Sequence, residues 1–242
     1  MTAIILASAS PRRRELIHQI GWTAEIKKSH FQEVSDAAEA GERRKRDSIF
    51  LLNPFSGADL VCAVNALGKA EDVLKQTGNG IPVLGADTVV TLDGKILGKP
   101  EDEEAAWKML HFLSGKTHQV KTGVALLKGC RKLLQVVTTS VTFRRLSDDE
   151  IGKYIATGEP MDKAGSYGIQ GKGTLLVESI TGSYDNVVGL PLVTVYEMMK
   201  VLQKEAYYSI QSENYRRFRF GLFTRFLDDL LYGLCYTVHN LH

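Results

Sequence analysis

Apolar and polar positions along residues 1–204 repeat with two alternating periods, which predicts alternating strands and helices. Short apolar runs or two-residue alternation predict strands at 3–7, 23–27, 82–92, 120–127, 133–143 and 175–180. Helical spacing and helix-start signals predict helices at 10–21, 60–74, 101–113, 147–158 and 191–204. Strands that alternate with helices in this way are typical of an α/β domain. The pattern therefore predicts one mixed α/β domain over residues 1–204.

Three local features refine this pattern. Asp93-Gly94 follows the apolar run at 82–92 and is a strong signal for a hairpin turn. Ser147 and Glu150 have the spacing of a capping box, which predicts a helix start. Residues 35–57 show neither period, so we predict irregular structure there. Their basic run at 43–46 favours a solvated loop over an import signal.

The C-terminal segment, residues 205–242, differs from the rest in composition. It contains nine of the chain's 18 Phe and Tyr residues. Phe218, Phe223, Phe226 and Leu230 have helical spacing, which predicts a helix packed on the domain or on a second subunit. A membrane-surface helix is less favoured because the basic and acidic residues of the tail are balanced. The third alternative is that the tail has no function.

Composition narrows the class of protein. The chain has 242 residues, 44% hydrophobic and 24% charged, as expected of an ordinary globular domain. A net charge of +2 is too small to indicate a nucleic-acid partner. The 3 cysteines form no Cys-x-x-Cys pair, which favours a reducing compartment over a disulfide framework or a zinc site. No segment resembles a signal peptide or a membrane span, so we expect a cytoplasmic protein that binds neither nucleic acid nor membrane.

The first strand-to-helix turn carries a candidate anion site. Ser8, Ser10 and Pro11 stand where the strand ends and the helix begins, and backbone N–H groups at a helix start favour an anion. Arg12 and Arg13 add fork-shaped donors that match phosphate oxygens. Because cations oppose the helix dipole at this end, local stability does not explain these arginines. A polyphosphate site is therefore favoured over a capped surface helix.

An aspartate interrupts the apolar run at 82–92. Asp87 would be costly to bury unless it were paired or bound a metal. It could activate a water, bind a divalent cation, or cap a turn at a strand end. Lys99, just before a predicted helix, can reach a phosphate, and Gln170, in a glycine-rich loop, can hydrogen-bond to a nucleobase. Taken alone, Lys99 is an ordinary surface lysine and the loop of Gln170 an ordinary flexible loop.

Taken together, these motifs resemble the Maf family of nucleotide pyrophosphatases. The matching motifs occur in the family's order and are SASPRR (8–13), GADT (85–88), GKP (98–100), LSGKTH (113–118), EPMDKAG (159–165), YGIQG (167–171) and VGLP (188–191). The resemblance implies an elongated, mixed-sheet α/β fold with a deep central cleft, related to inosine triphosphate pyrophosphatases. It also implies hydrolysis of a nucleoside triphosphate to the monophosphate and pyrophosphate. The implied cofactor is a divalent cation, Mg²⁺ or Mn²⁺. Members of the family are usually cytoplasmic and often homodimers, so the resemblance implies the same here.

The resemblance further implies roles for individual residues. It places the general base at Asp87 and an acidic residue near the metal at Glu33. Positions that bind phosphate or select the substrate fall on Ser8, Arg12, Arg13, Lys69, Thr88, Lys99 and Gln170. Because Gln170 complements the edge of uracil or thymine, we expect dTTP and UTP as substrates. Modified pyrimidine nucleotides are an alternative of the same type, and 7-methyl-GTP would require departures from the pattern that this chain does not show.

One segment departs from the family pattern. Residues 67–70 (LGKA) match the motif that carries the phosphate-binding Lys69, but residues 36–65 are an atypical insertion or replacement. Lys69 lies opposite the apolar stripe of its predicted helix, so it faces either solvent or the cleft. If the replaced segment damaged the cleft, the protein would instead be a nucleotide-binding regulator without turnover, linked to cell division.

Overall fold

The computed structural model describes residues 2–45, 47–78 and 80–204. These residues form one mixed sheet of seven strands, with helices packed on both of its faces. The mixed α/β fold predicted from the sequence is confirmed. The predicted tail helix lies outside the described residues.

Six of the seven strands lie close to their predicted positions, and the other, Lys95–Leu97, follows the predicted hairpin turn. They are β1 Ala3–Leu6, β2 Thr23–Ile26, β3 Val83–Leu92, β4 Lys95–Leu97, β5 Thr117–Lys128, β6 Arg131–Phe143 and β7 Val177–Thr181. Their order across the sheet is β2-β1-β3-β5-β6-β7, and β4 pairs with β3 as the second half of a hairpin. Asp93 and Gly94 have φ values of 52° and 76°, as the predicted hairpin turn requires.

Helices connect most of these strands. They are α1 Pro11–Gln19, α2 Ala37–Arg44, α3 Ile49–Leu52, α4 Gly57–Thr77, α5 Glu103–Leu113, α6 Asp148–Ile155 and α7 Tyr184–Val188. A further helix, α8, covers residues 192–204. The predicted capping box opens α6, where Ser147 and Glu150 exchange side-chain-to-backbone hydrogen bonds. Within the described part of the chain, no helix is both long and apolar enough to cross a bilayer.

The prediction of irregular structure at 35–57 was wrong. α2 and α3 lie in this segment, and α4 begins at its end. The Asp36 side chain caps α2 by accepting hydrogen bonds from two following backbone N–H groups. Ala40 is the buried residue of α2, so the sequence there shows no apolar stripe. The prediction also missed α7, because five residues are too few to establish a helical period.

β3 has an open edge at its centre. On that edge β1 pairs with Val83 and Leu84, and β4 pairs with residues 90–92. Among the strands of the described ranges, none covers residues 85–89 on that side. Because successive side chains of a strand point to opposite faces, both faces of β3 can be reached from this gap.

α4 packs very close to the sheet beside this gap. A Cβ atom at Gly85 would collide with the carbonyl oxygen of Ala66, and one at Gly123 would collide with that of Cys62. These glycines of β3 and β5 therefore let the helix approach the sheet backbone. Every residue from Leu60 to Ala70 is buried as a result. Polar side chains of α4 that point toward β3 can consequently reach the strand directly.

Candidate active site

A cleft of 830 Å³ lies beside the open edge of β3. Its walls are the β1–α1 turn, the segment 28–35, α4, and the loops that contain residues 98–99 and 162–170. The cleft is lined by all the residues to which the resemblance gave a role: Ser8, Arg12, Arg13, Glu33, Lys69, Asp87, Thr88, Lys99 and Gln170. Motifs far apart in the sequence therefore meet in one cavity.

Asp87 is a buried carboxylate with a separate partner for each oxygen. Its side chain lies on the face of β3 that is covered by α4, and the residue is 7% exposed. The Lys69 ammonium donates to Oδ1 at 2.8 Å, and the Asn65 amide donates to Oδ2 at 3.0 Å. One ion pair and one hydrogen bond thus offset the cost of burying this charge. Of the alternatives left open by the sequence, a capped strand end does not describe Asp87, which lies at the middle of β3.

Lys69 faces the cleft and joins two carboxylates. Its Nζ atom lies 2.8 Å from Asp87 Oδ1 and 2.9 Å from Glu33 Oε1. The Lys69 side chain is 11% exposed, whereas that of Glu33 is 56% exposed. The sequence left solvent and cleft as two possible surroundings for Lys69, and the structure places it in the cleft.

Asn65 is a cleft residue that the sequence analysis did not identify. Its side chain accepts a hydrogen bond from Val34 N at 2.8 Å and donates to Val34 O at 2.9 Å, besides its bond to Asp87. These bonds use both amide hydrogens, and Asn65 is 2% exposed. An asparagine one turn before Lys69, within a run of buried α4 residues, is the sequence signal that could have revealed it.

The polar face of α4 continues along the segment that carries Glu33. Asp72 accepts hydrogen bonds from His30 N at 2.7 Å and from Ser29 Oγ at 3.0 Å. The backbone bond from His30 and the bond from Ser29 outweigh the small effect of burial and lower the pKa of Asp72. Together with Asn65 and Lys69, this residue fixes residues 29–34 along one side of the helix.

The atypical segment supports the same wall of the cleft. Arg43 of α2 donates to Gln32 O at 3.1 Å, and its guanidinium carbon lies 5.2 Å from the centre of the Phe31 ring. That ring rests on α4 at Gly68, where a Cβ atom would collide with it. Residues 36–65 therefore fold into helices that brace the segment bearing Glu33, with the cleft intact beside them.

Arg13 lies on the other face of β3 and anchors the β1–α1 turn. It donates from Nε to Gly189 O at 2.8 Å, from Nη1 to Ser8 Oγ at 3.1 Å and from Nη2 to Thr88 Oγ1 at 3.1 Å. Burial lowers the pKa of its guanidinium, and the negative charges of Asp87 and Glu33 partly oppose that shift. Two of its five N–H groups remain for a ligand, so one residue can both hold the turn and bind phosphate.

Thr88 takes part in a hydroxyl chain whose direction is fixed. Thr122 Oγ1 donates to Asn186 O at 3.2 Å, so its only hydrogen is used there. The 3.0 Å contact between the two threonine hydroxyls therefore has Thr88 as the donor. Since Thr88 also accepts from Arg13, its hydroxyl can offer a ligand an acceptor lone pair but no hydrogen.

The remaining predicted residues lie on the rim of the cleft. Arg12 Nη1 is 3.5 Å from Asp162 Oδ2. Burial alone would raise the pKa of Asp162, but the hydrogen bond from Lys163 and the charges of Lys163 and Arg12 outweigh it and lower that pKa. Lys99 and Gln170 are both exposed. The rim thus presents Arg12 and Lys99 as cations and Gln170 as a neutral amide.

Two of the family-like motifs meet behind the rim. Tyr167, which lines the cleft, has its hydroxyl 2.7 Å from His118 Nε2. Burial lowers the pKa of His118 to about 4 and raises that of Tyr167. His118 is therefore neutral at pH 7, and its contact orients the tyrosine that forms part of the wall.

Comparisons with known proteins agree with this geometry. The chain matches the family model described as Maf-like protein over residues 3–202, a span that includes the atypical segment. It is 47% identical over 199 residues to the dTTP/UTP pyrophosphatase of Shigella dysenteriae serotype 1 (strain Sd197), covering 82% of this chain and 92% of that protein. The dTTP/UTP pyrophosphatase of Escherichia coli O157:H7 gives the same values. A Shigella flexneri protein named nucleoside triphosphate pyrophosphatase is 46% identical over 199 residues, with 82% and 92% of the two chains covered.

Proposed function

Since this chain belongs to the Maf-like protein family, we propose that it is a nucleoside triphosphate pyrophosphatase that converts dTTP and UTP to the monophosphate and pyrophosphate. The observation that carries this proposal is Asp87, a buried carboxylate held on both oxygens inside a cleft whose rim carries arginine and lysine. A carboxylate and several cations around one cavity are the parts that hydrolysis of a polyphosphate requires. The relatives' names supply the reaction, and the site supplies residues suited to it.

In the proposed reaction, a water attacks a phosphorus of the triphosphate in line with the leaving pyrophosphate. Asp87 takes the proton of that water as general base, a role typically worth about 10²–10⁴ in rate. Arg12, Arg13 and Lys99 offset the charge that develops on the phosphoryl oxygens. Ser8 donates a hydrogen bond to a phosphate oxygen, because its hydroxyl accepts from Arg13 and keeps its own hydrogen.

Glu33 and Asp87 fit a divalent cation. Oε1 of Glu33 and Oδ1 of Asp87 already converge on one positive group, the Lys69 ammonium. Mg²⁺ and Mn²⁺ prefer such oxygen donors, and Mg²⁺ often takes one or two protein carboxylates together with substrate phosphates. The described residues contain no cluster of three metal-binding side chains, so phosphate oxygens would complete the coordination. When bound, the cation would neutralise phosphate charge and lower the pKa of a bound water.

The two polar groups available for the base favour uracil and thymine. Thr88 can only accept a hydrogen bond from a ligand, and the Gln170 amide can both donate and accept. Uracil and thymine present an N3–H donor between two carbonyl acceptors, whereas cytosine has an acceptor at N3. A mismatch leaves a polar group that the bound base covers without a partner, at a cost of about 1–3 kcal/mol, or roughly tenfold to a hundredfold in kcat/KM. Normal and modified pyrimidine nucleotides share this edge.

A substrate panel tests the proposal. Purified protein is given dTTP, UTP, CTP, ATP, GTP and 7-methyl-GTP, each with Mg²⁺ or Mn²⁺, and pyrophosphate release is measured. We expect dTTP and UTP to give the highest kcat/KM, and the nearly isosteric Asp87→Asn variant to lose most of the activity. If pyrophosphate is released no faster than in a protein-free control, the pyrophosphatase function is refuted and a nucleotide-binding regulator without turnover is favoured. A purine triphosphate as the best substrate would overturn the base preference alone.

A further inference from the structure

The Lys69 ammonium occupies the point where the carboxylates of Glu33 and Asp87 converge. It lies within 2.9 Å of an oxygen of each, and the residue is 9% exposed. We infer that Lys69 is a resident cation that holds this site in the resting protein and gives it up when a divalent cation enters. The inference rests on the proposed function, because it concerns the cation that the proposed reaction uses.

Asn65 determines which oxygen of Asp87 faces Glu33. Oδ2 accepts from the Asn65 amide, which is itself fixed by two hydrogen bonds to the backbone of Val34. Asn65 is 2% exposed, and both of its amide hydrogens are used in these bonds. A divalent cation that binds both carboxylates therefore does so at Oδ1, the oxygen that converges with Glu33 Oε1 and that Lys69 holds. Oδ2 has a second lone pair, so it can still accept a proton. An ammonium and a divalent cation cannot share the position at Oδ1, because both are positive and would lie within a few ångströms of each other.

Lys69 has an alternative partner once it leaves the carboxylates. Its four-carbon stem is flexible, and its three N–H donors suit a phosphate oxygen as well as a carboxylate. The position lines an open cleft whose other cations include Arg12, Arg13 and Lys99 and favour a polyphosphate. A bound triphosphate would therefore stabilise the displaced ammonium. Nucleotide and divalent cation then assist each other's binding, and by linkage each raises the affinity for the other by the same factor.

The first test measures Mn²⁺ binding to nucleotide-free protein by electron paramagnetic resonance. Lys69→Met keeps the length of the side chain and removes its charge. Lys99→Met removes an equal charge from the same cleft, but from a lysine on the exposed rim. We expect Lys69→Met to bind Mn²⁺ about tenfold more tightly than the parent, because the competing cation is gone, and Lys99→Met to bind it nearly as the parent does. Equal or weaker binding by Lys69→Met, or an equal gain in both variants, would overturn the inference.

The second test uses the parent protein, so it does not depend on how Lys69→Met folds. Lysines are labelled briefly with acetic anhydride, with and without saturating Mn²⁺, and the modified fraction of Lys69 is read by mass spectrometry. We expect Mn²⁺ to increase acetylation of Lys69 and to leave that of the exposed Lys99 unchanged. No increase at Lys69 would contradict the exchange. Neither test requires turnover, so an inactive protein with this Mn²⁺ response would refute the proposed function and support the exchange.

Discussion

Replacing Asn65 with leucine tests whether Asn65 positions Asp87 for catalysis without contacting the substrate itself. The substitution removes three hydrogen bonds, two to the backbone of Val34 and one to Asp87 Oδ2. Leaving the Val34 N–H and C=O without partners costs about 1–3 kcal/mol each, and the apolar side chain recovers part of this by burial. We therefore expect the free energy of unfolding to fall by roughly 2–4 kcal/mol.

The effect on turnover follows from the third bond. A hydrogen bond to a charged group is worth about 1.5–3 kcal/mol, which corresponds to roughly tenfold to a hundredfold in rate if the aligned carboxylate is needed in the transition state. KM should change little, since both polar atoms of Asn65 are already hydrogen-bonded within the protein. Urea denaturation gives the stability change, and initial rates of pyrophosphate release from dTTP give kcat and KM.

Asn53→Leu is the matched control for this experiment. Asn53 makes one side-chain hydrogen bond in the described structure, to Ile49 O at 2.9 Å, and it does not line the cleft. We expect the free energy of unfolding of this variant to fall by about 0.5–1.5 kcal/mol, and its activity to equal that of the parent. A folded Asn65→Leu protein with the kcat of the parent would refute the positioning role. An equal loss of kcat in both variants would show that the effect is not specific to the site.

Three further predictions concern other parts of the molecule. Arg13→Lys keeps the charge but cannot reproduce the three directed hydrogen bonds of the arginine. KM for the triphosphate should therefore rise, and the free energy of unfolding should fall by about 1–3 kcal/mol. Values equal to those of the parent protein would contradict this prediction. Because burial lowers the pKa of His118 to about 4, the unfolded chain binds its proton more tightly. Stability should therefore fall by about 3 kcal/mol as the pH drops from 6.5 to 4, and urea denaturation should show a shallower fall for His118→Gln. Ending the chain after Lys204 should leave a soluble, active protein, and aggregation would instead indicate that the tail covers an apolar surface.

The sequence predicted most of the elements because their patterns are local. β3 is buried on both faces, so it forms a continuous apolar run, and it ends in a hairpin turn whose residues adopt positive φ. Both the strand and its end are therefore visible in the chain. α6 carries a complete capping box. α2 has a good N-cap in Asp36, but with a single buried alanine its apolar period is absent. A helix held by a cap and by polar contacts to its neighbours cannot be found from hydrophobic spacing.

Without the family resemblance, the candidate site could be predicted only where one residue type implied one chemistry. Asp87 stood out because a carboxylate in an apolar strand is costly, and the arginines because they oppose a helix dipole. Asn65 and Thr122 did not stand out, since amides and hydroxyls occur in many buried networks. Their roles depend on partners distant in the sequence: Asn65 is 22 residues from Asp87, and Thr122 is 34 from Thr88. Gly189 is further still, since its carbonyl meets Arg13 across 176 residues.

The open edge of β3 explains why two neighbouring residues can serve different parts of the same site. Asp87 points to the face covered by α4, where it meets Asn65 and Lys69, and Thr88 points to the opposite face, where it meets Arg13. A register shift of one residue would exchange the two side chains and bury the carboxylate against the arginine side of the sheet.

The cross-strand partners of these two residues differ for the same reason. Thr122, opposite Thr88, supplies a hydroxyl that orients its neighbour. Gly123, opposite Asp87, supplies no side chain, because any Cβ atom there would strike the backbone of α4. A larger residue at 123 would push the helix outward and withdraw both Lys69 and Asn65 from Asp87. The charge balance of the site therefore depends on the close packing of α4. Gly123, which lies outside all the family-like motifs, makes that packing possible.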